Sequence, residues 1–504
     1  MGPPLTLAEV KKTYGSDFQV VPSFGLQQGH GEDGAPKYRR IDDHSASGGN
    51  QVAHRLQKVP MAMADYVGVL TRAVGKLGTG VRFSTEDMKG AYRQVPLHPS
   101  DVRYAITAVY NPEDDAAHLF EMYGQPFGAG HSVPNFCRVS EWIARCCQRL
   151  FDSTLDHFFD DFFVVEPPDT IETTCFCLKE LFTILGFSLD PDKSQPPSSV
   201  CAILGVIFTS EAIQSERKFL VTPKPSRVKT LKEVLDNVLR EDSLSPALAA
   251  SIVGKFGFMC STMFGKVGRC CTGALRHRQY STSHSRSLNP ELSTSIALMK
   301  HFLDICPSRE ISLTSKASWL VYTDASDVPG RNPQQVLGCV LMSQTEMYHT
   351  FVAVPQEIIN MWIPKENHMS QLELLAAPLA WHTWRSKLQD SSALLFIDNN
   401  GAAANLVKGY SPQVDSSAIV GHFWLLASSM KSSVYIDRVE SKSNPADGPS
   451  RLDVSWLSHH GSLWTPPQIG HLRRPLIDPA LWFGATTVNG GKRVTPPTIS
   501  GGRM

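Results

Sequence analysis

The chain has no apolar run approaching the ~18 residues that a membrane-spanning helix needs, and no charged-then-apolar leader opens it. An intracellular location, cytoplasm or nucleus, is therefore expected, with no membrane partner. It also has no excess of either charge, since Lys+Arg 48 and Asp+Glu 48 cancel. That excludes the long-range pull of a strongly basic protein on polyanions, so any nucleic acid must be held by local patches. None of its 11 cysteines forms a Cys-x-x-Cys pair. Cys146-Cys147, Cys270-Cys271 and the nearby Cys175 and Cys177 thus read as small core residues in a reducing compartment, not as zinc ligands. The opening Met-Gly-Pro-Pro-Leu-Thr has the form of a myristoylation signal, unsupported by anything around it, and is read as a chance match.

What is present is ordinary core-building material: 504 residues, 42% hydrophobic and 19% charged. Taking roughly 150 residues per domain suggests about three domains. The sequence is organised around His157-Phe-Phe-Asp-Asp-Phe-Phe-Val-Val165, an apolar run interrupted at its centre by Asp160 and Asp161. The pattern predicts a hairpin of two buried strands with acids at the turn. Folding alone does not ask for two adjacent anions, which repel one another and resist desolvation unless they are solvated or hold a cation. A plain surface turn is an equal alternative from this stretch alone.

Upstream, residues 1–36 are turn-rich and polar and read as a flexible segment. Lys37-Tyr-Arg-Arg-Ile-Asp-Asp43 follows, placing Arg39 and Arg40 on an extended segment. This is either a solvated strand edge or a clamp on phosphates. Val81 to Val95 begins as a strand and passes into a short turn bearing Tyr92, so Asp87 falls where the strand ends. That is a usual place for a carboxylate facing a cleft, although the residue could equally cap the turn. A Gly/Pro-rich loop, Tyr123 to Phe136, contains Pro126-Phe127-Gly128 and opens a helix from Arg138 to about Phe151; such loops let backbone approach a flat or phosphorylated ligand. After the hairpin come a helix, Thr173 to Leu185, the segment Leu185 to Lys193, and a single strand, Ala202 to Phe208.

Taken in this order, Asp87 with Tyr92, the Pro126-Phe-Gly128 loop, the Phe-Phe-Asp-Asp box, Lys193 and Leu204-Gly205 resemble the fingers and palm of reverse transcriptases, closest to those of gypsy- or DIRS-like retrotransposons. The resemblance spans about Lys37 to Thr222. It implies that Asp87, Asp160 and Asp161 hold two Mg²⁺ (or Mn²⁺) ions. Asp87 and Asp160 would be the bridging pair, and Asp161, on the alternate face of a regular strand, would be supporting. Arg39, Arg40, Phe127, Gly128 and Lys193 would line the substrate site, and the ring of Tyr92 would crowd a ribose 2′-hydroxyl. The sequence departs from the family at Phe158, where Tyr is usual, and at Val133, where Pro is usual.

Past Thr222 the composition becomes helical: Val228 to Leu239, Pro246 to Phe264 and Leu292 to Asp304. Lys255, Lys266, Arg269, Arg276 and Arg278 are interleaved with aromatics, which fits a thumb on a duplex backbone as well as it fits a solvated amphipathic helix pair. A second set of acids then appears. Asp324 ends a strand, Glu373 sits on a mostly apolar helix, Asp398 ends another strand, and Asp447 lies in Ser443-Asn-Pro-Ala-Asp-Gly-Pro-Ser-Arg451. Each has a cheap explanation singly; together their repulsion is best relieved by metal. Their order resembles that of the RNase H fold from about Ser318 to Leu452, implying two more Mg²⁺ ions. The His that often precedes the last Asp in that family has no counterpart in Glu440 to Asn444.

The expectation is an α+β multidomain chain. Residues 37–222 are fingers and palm of a right-hand polymerase, 223–315 a helical thumb or connection, 316–455 an RNase H-like α/β domain, and 456–504 a Pro/Gly-rich tail. The resemblance implies an RNA-directed DNA polymerase with ribonuclease H activity. Its partners would be an RNA template, a DNA primer, deoxynucleoside triphosphates and RNA/DNA hybrid. A catalytically decayed nucleic-acid-binding protein is the alternative. No aspartic-protease Asp-Thr/Ser-Gly motif and no zinc-binding integrase pattern occur in the sequence.

Overall fold

The computed structural model describes residues 1–30, 35–52, 59, 61–262, 266–282, 285–305, 308–314, 316–329 and 334–473. The chain forms two compact units, each of mixed α/β structure. The first comprises Met1–Val221 with Glu310–Thr314, and the second Thr222–Arg309 with Ser315–Met504.

The first unit holds three sheets, two of which frame the acids described below. One runs in the order Pro36–Asp42, Val20–His30, Ile106–Asn111, Ala116–Glu121, and the helix Leu7–Tyr14 packs on it through Val10, against Ile106 and Leu119. The opening segment is therefore not a loose one. Thr6 and Glu9 form a reciprocal capping box at the helix start, and the Val20–His30 strand is paired on both sides. Alternation there is obscured by the glycine and glutamines, which is why the segment reads as polar turn. Residues 31–34, the end of the predicted flexible stretch, lie outside the described residues.

The second sheet runs Leu155–Phe158, Asp161–Glu166, Arg82–Asp87, Gln195–Ser198. Phe162 and Val164 enter one core with Phe136, Ile143 and Cys147 of the helix Ser132–Leu150 and with Leu178 and Phe182 of the helix Ile171–Leu185. Gly186, at φ 76°, closes the latter helix in the left-handed conformation that glycine adopts without strain. The predicted single strand Ala202 to Phe208 is instead a hairpin, Val200–Ile203 against Val206–Thr209. Leu204 and Gly205 both take positive φ, 51° and 79°, the requirement of a tight two-residue turn that matches strand twist.

The second unit is built on a sheet ordered Ser433–Arg438, Ser392–Ile397, Ser318–Val328, Gln334–Met342, Met347–Ala353, Leu463–Trp464. The three strands from 318 to 353 are antiparallel, and Ser392–Ile397 and Ser433–Arg438 add in parallel. The helix Met369–Thr383 is buried on every side from Gln371 to His382, which explains its nearly uniform apolar sequence. Helices Pro225–Glu241, Pro246–Thr262 and Pro290–Ile305 each begin on a proline, the residue best suited to a first turn because its missing N–H is not needed there.

Of residues 223–315, expected as a thumb or connection, the helices up to Ile305 share the hydrophobic cluster of the sheet, whereas Glu310–Thr314 belongs to the first unit. Leu235, Ile252, Phe256 and Phe302 belong to the same buried cluster as Leu341, Leu375, Trp381 and Phe423. Ser417 Oγ on the helix Val414–Ser429 also donates to the Cys270 carbonyl at 3.3 Å. The expected tail begins with ordered elements, the helix Ser455–His459 and the strand Leu463–Trp464. Its remainder, 474–504, lies outside the described residues. Among the described residues no helix is long and apolar enough to cross a membrane.

Candidate active sites

In the first unit the hairpin turn consists of Phe159 and Asp160, because Phe158 pairs with Asp161 across it. Phe159 takes φ 53°, an uncommon conformation for a bulky side chain and one that concentrates at functional turns. Asp160 therefore belongs to the turn, and the regular strand starts at Asp161. Asp161 lies directly across from Asp87 in the antiparallel pairing, so both side chains project from the same face. This corrects the expectation, drawn from alternation along a continuous strand, that Asp161 points away from Asp87. Alternation does hold one residue earlier. Glu86 turns to the opposite face, buried, where Ser194 Oγ donates to it at 2.6 Å and Lys179 pairs with it at 3.1 Å.

The electrostatics match crowded anions. Desolvation, then the charge of Asp160 and side-chain contact with Asp87, push the Asp161 carboxyl up to about 7, although the residue is open to solvent. Desolvation, opposed by a backbone hydrogen bond, and the charge of Asp87 raise Asp160 as well. Lys193, expected to face substrate, instead donates to Asp87 Oδ2 at 2.7 Å and lies 3.5 Å from Asp190. The three carboxylates do not close into one tight ligand group: no such set of three at this hairpin tip occurs among the described residues.

Beside these acids, Tyr92 packs edge-on to Phe127, with ring centres 4.8 Å apart, and against Phe136 at 4.6 Å. Burial first, then Cys137 and the negative charge of Asp160, push the Tyr92 hydroxyl up to about 12. The Arg39 guanidinium lies over the Phe127 ring at 5.4 Å and that of Arg93 at 5.7 Å. Arg40 is committed elsewhere: its Nε donates to buried Asp42 at 2.9 Å and to Ser23 at 3.0 Å. Of the two arginines considered, Arg39 faces the aromatic wall, and Arg93 joins it. Gly128 is exposed at φ 99°, and a Cβ there would lie 2.2 Å from the Asp42 carbonyl oxygen, so only glycine fits. Asn50 pins this loop, donating to the Gly128 carbonyl at 2.9 Å and accepting from the Gly130 amide at 2.7 Å. Asn50 and Asp42 carry no motif and were not evident from sequence.

The second unit holds a tighter group. Asp324 lies within the first strand, Glu373 on the buried helix, and Asp398 just past the end of Ser392–Ile397. One ligand atom from each lies within 4.8 Å of the others. Burial, the charges of Asp398 and Asp447, and opposing hydrogen bonding from Ser450 leave Asp324 raised to about 6. Glu373 is 5% exposed, and its Oε2 is buried without a hydrogen-bond partner. Burial, then Asp324 and Asp398, push it up to about 9. A buried carboxylate oxygen without a donor, aimed among other carboxylates, fits a hard divalent cation with oxygen ligands.

Asp447 stands apart from that trio as the first residue of the short helix Asp447–Ser450, paired with Arg451 at 2.8 Å. The same helix returns Ser450, whose hydroxyl donates to Asp324 Oδ2 and whose carbonyl accepts from Ser326 at 2.6 Å. Asn444 ties the preceding loop to the strand, donating to the Thr323 carbonyl at 3.0 Å. Ser450 and Arg451 were visible in the sequence as the third and fourth residues after Asp447, the spacing that shares one helix face.

No protein-family profile matches the sequence, and no curated protein is similar to it in sequence. Among solved structures, the chain is similar to one described as a foamy viral protease-reverse transcriptase dRH in complex with double-stranded DNA. The likeness has 13% sequence identity and a TM-score of 0.45, and it covers 84% of this chain and 65% of that one.

Proposed function

We propose that this chain is the RNA-directed DNA polymerase of a retrotransposon, extending a DNA primer on an RNA template with deoxynucleoside triphosphates. Its second unit would cleave the RNA strand of the resulting hybrid. One observation carries the reading: each compact unit has its own set of carboxylates, the first at the tip of a Phe-Phe-Asp-Asp hairpin, the second brought from two strands and a helix around an unsatisfied Glu373 oxygen. The mixed sheet, three antiparallel strands extended by two parallel ones, accords with an RNase H-like unit.

Pairs of Mg²⁺ or Mn²⁺ ions about 3.5–4 Å apart supply the charge stabilisation of attacking and leaving oxygens in such transfers. The residues here do the holding and shaping. Asp87, Asp160 and Asp161 offer oxygens at one site; Asp324, Glu373 and Asp398 do so at the other, with Asp447 beside them. Tyr92, braced by Phe127 and Phe136, presents a ring edge against which a ribose 2′-hydroxyl would clash. Arg39 and Arg93 place positive charge along the same wall, suited to phosphate oxygens.

A second reading, a nucleic-acid-binding protein without polymerase chemistry, is favoured by one feature: the charge of Asp87 is already met by Lys193. Primer extension and hybrid cleavage on one preparation separate the two, with Asp160→Asn and Asp398→Asn as controls. Loss of extension only in the first variant and of cleavage only in the second supports the proposal. A wild-type chain that extends no primer with either Mg²⁺ or Mn²⁺ overturns its polymerase half.

A further inference from the structure

A third group of ligand-type side chains lies on the helix side of the hairpin, outside both sites described above. Glu141 on the helix Ser132–Leu150, and Asp156 and His157 on the strand Leu155–Phe158, bring one ligand atom each within 4.8 Å of the others. His157 is 1% exposed and Asp156 is 7% exposed. We propose that Glu141, Asp156 and His157 form a binding site for a transition-metal cation of the zinc class, which ties the hairpin to that helix. The proposal stands whether or not the acids at the hairpin tip transfer nucleotides.

Hydrogen bonding fixes which atoms face the gap. His157 Nδ1 lies 3.2 Å from the Phe159 carbonyl oxygen, which can only accept, so Nδ1 carries the proton. A neutral ring then turns the lone pair of Nε2 toward Glu141 Oε2, also 3.2 Å away. Two lone pairs facing one another require a positive charge between them, either a proton or a metal ion. A charge-assisted N–H to carboxylate bond usually closes to about 2.7–2.9 Å. Two ligand atoms each about 2.0–2.2 Å from one ion sit roughly 3.0–3.5 Å apart, so the 3.2 Å found has room for an ion, while also lying at the long end of an ordinary N–H···O bond.

The surroundings have the form of a metal site's outer shell. Metal-bound histidines commonly donate their other ring N–H to a backbone carbonyl, and ligating carboxylates are themselves hydrogen-bonded. Here Phe159 takes the Nδ1 proton, and Arg145 Nε donates to the other Glu141 oxygen, Oε1, at 2.7 Å. Gln148 Oε1 in turn holds Arg145 at 2.7 Å. Among the described residues Asp156 has no side-chain donor and no ion pair. Its Oδ1 accepts only the adjacent His157 amide, at 2.8 Å, a poorly compensated state for a buried carboxylate unless a cation completes it. Imidazole with two carboxylates suits zinc-class ions, whereas Mg²⁺ prefers all-oxygen surroundings. Glu141 is partly exposed, giving an ion a way in.

The test uses the full chain, stripped with chelator and then dialysed against Zn²⁺ or Co²⁺ in the presence of millimolar Mg²⁺, which fills the all-oxygen sites. About one zinc per chain should survive gel filtration, raise the melting temperature, and persist in Asp398→Asn. It should be lost in His157→Gln and Asp156→Asn, and Arg145→Gln should weaken it roughly 10-fold or more. X-ray absorption on the loaded wild type should show one imidazole with oxygen neighbours, a readout independent of whether any variant folds. No retained zinc, which would leave a proton between His157 and Glu141, overturns the proposal. So does a spectrum containing sulfur or several imidazoles, or equal retention by folded His157→Gln.

Discussion

Asp87 and Asp161 stand directly opposite one another on neighbouring antiparallel strands, and the turn residue Asp160 is fixed beside them by the Met88 amide, which donates to its carbonyl at 3.1 Å. Strand pairing, not sequence adjacency, thus decides which two carboxylates share a face. The arrangement crowds like charges, and Lys193, paired with Asp87, offsets part of the repulsion at Asp160 and Asp161 too.

In the second unit burial, with repulsion among the acids adding to it, holds two carboxyls protonated, and the resulting pH dependence gives the site a signature. Glu373 is raised from 4.5 to about 9 and Asp324 from 3.8 to about 6, so the folded protein holds protons that the unfolded chain releases. Stability is then fullest in acid and declines as pH rises, through about 6 for Asp324 and through about 9 for Glu373. Without divalent cations, the advantage of Glu373→Gln over wild type should grow as pH rises from 6, because the unfolded chain releases this proton above about 4.5 while the folded chain keeps it until about 9. Near pH 9.5 it should melt higher by roughly 2–8 °C, on the order of 1–2 kcal/mol. Mg²⁺ should narrow the gap by stabilising wild type alone. Calorimetry across that pH range is the check, and a gap that stays constant from pH 6 to pH 9.5 would contradict the assignment.

Much of this was legible in the chain. Acids ending apolar runs marked the strand ends at Asp87 and Asp398, though Asp324, expected to end its strand, lies inside Ser318–Val328, and Glu373 announced its burial through the apolar residues around it on the Met369–Thr383 helix. What escaped was set by contacts distant in sequence. Asp42 holds Arg40 and Arg93, and Asn50 bonds a loop near Gly128; neither has a local pattern. Leu204-Gly205 looked like strand because Leu is an unusual residue for a positive-φ turn. The unity of the helices between 225 and 305 with the following sheet also lay beyond reach, since a helix's apolar stripe shows that it packs but not against what.

Gly338 offers a test of how the Asp447 helix is seated. It pairs with Asp324 across the two central antiparallel strands, and a Cβ on it would lie 2.4 Å from the Ser450 amide nitrogen and 2.6 Å from the Ala446 carbonyl oxygen. Both are backbone atoms, so Gly338→Ala must lift the segment bearing Ser450 and Asp447 away from Asp324. Hybrid cleavage should fall on the order of 10²-fold or more, as a misplacement near 1 Å can cause, while primer extension by the other unit persists. Cleavage retained at wild-type rates would show that the helix does not position the acids.

Lys193 distinguishes a counter-charge from a substrate ligand. Its ammonium lies 2.7 Å from Asp87 and 3.5 Å from Asp190, yet its side chain is 59% exposed, so the pair is worth only about 0.2–1 kcal/mol. A cation binding at Asp87 must displace that ammonium. Removing it in Lys193→Gln should therefore lower the Mg²⁺ concentration for half-maximal extension by a modest factor, roughly 1.5- to 5-fold at that energy. If the ammonium, once displaced, holds the triphosphate, the KM for deoxynucleotide should rise in the same variant. Mg²⁺ titrations at saturating nucleotide and nucleotide titrations at saturating Mg²⁺ separate the two effects. An Mg²⁺ requirement that rises or stays unchanged would show that Lys193 does not compete with the metal for Asp87.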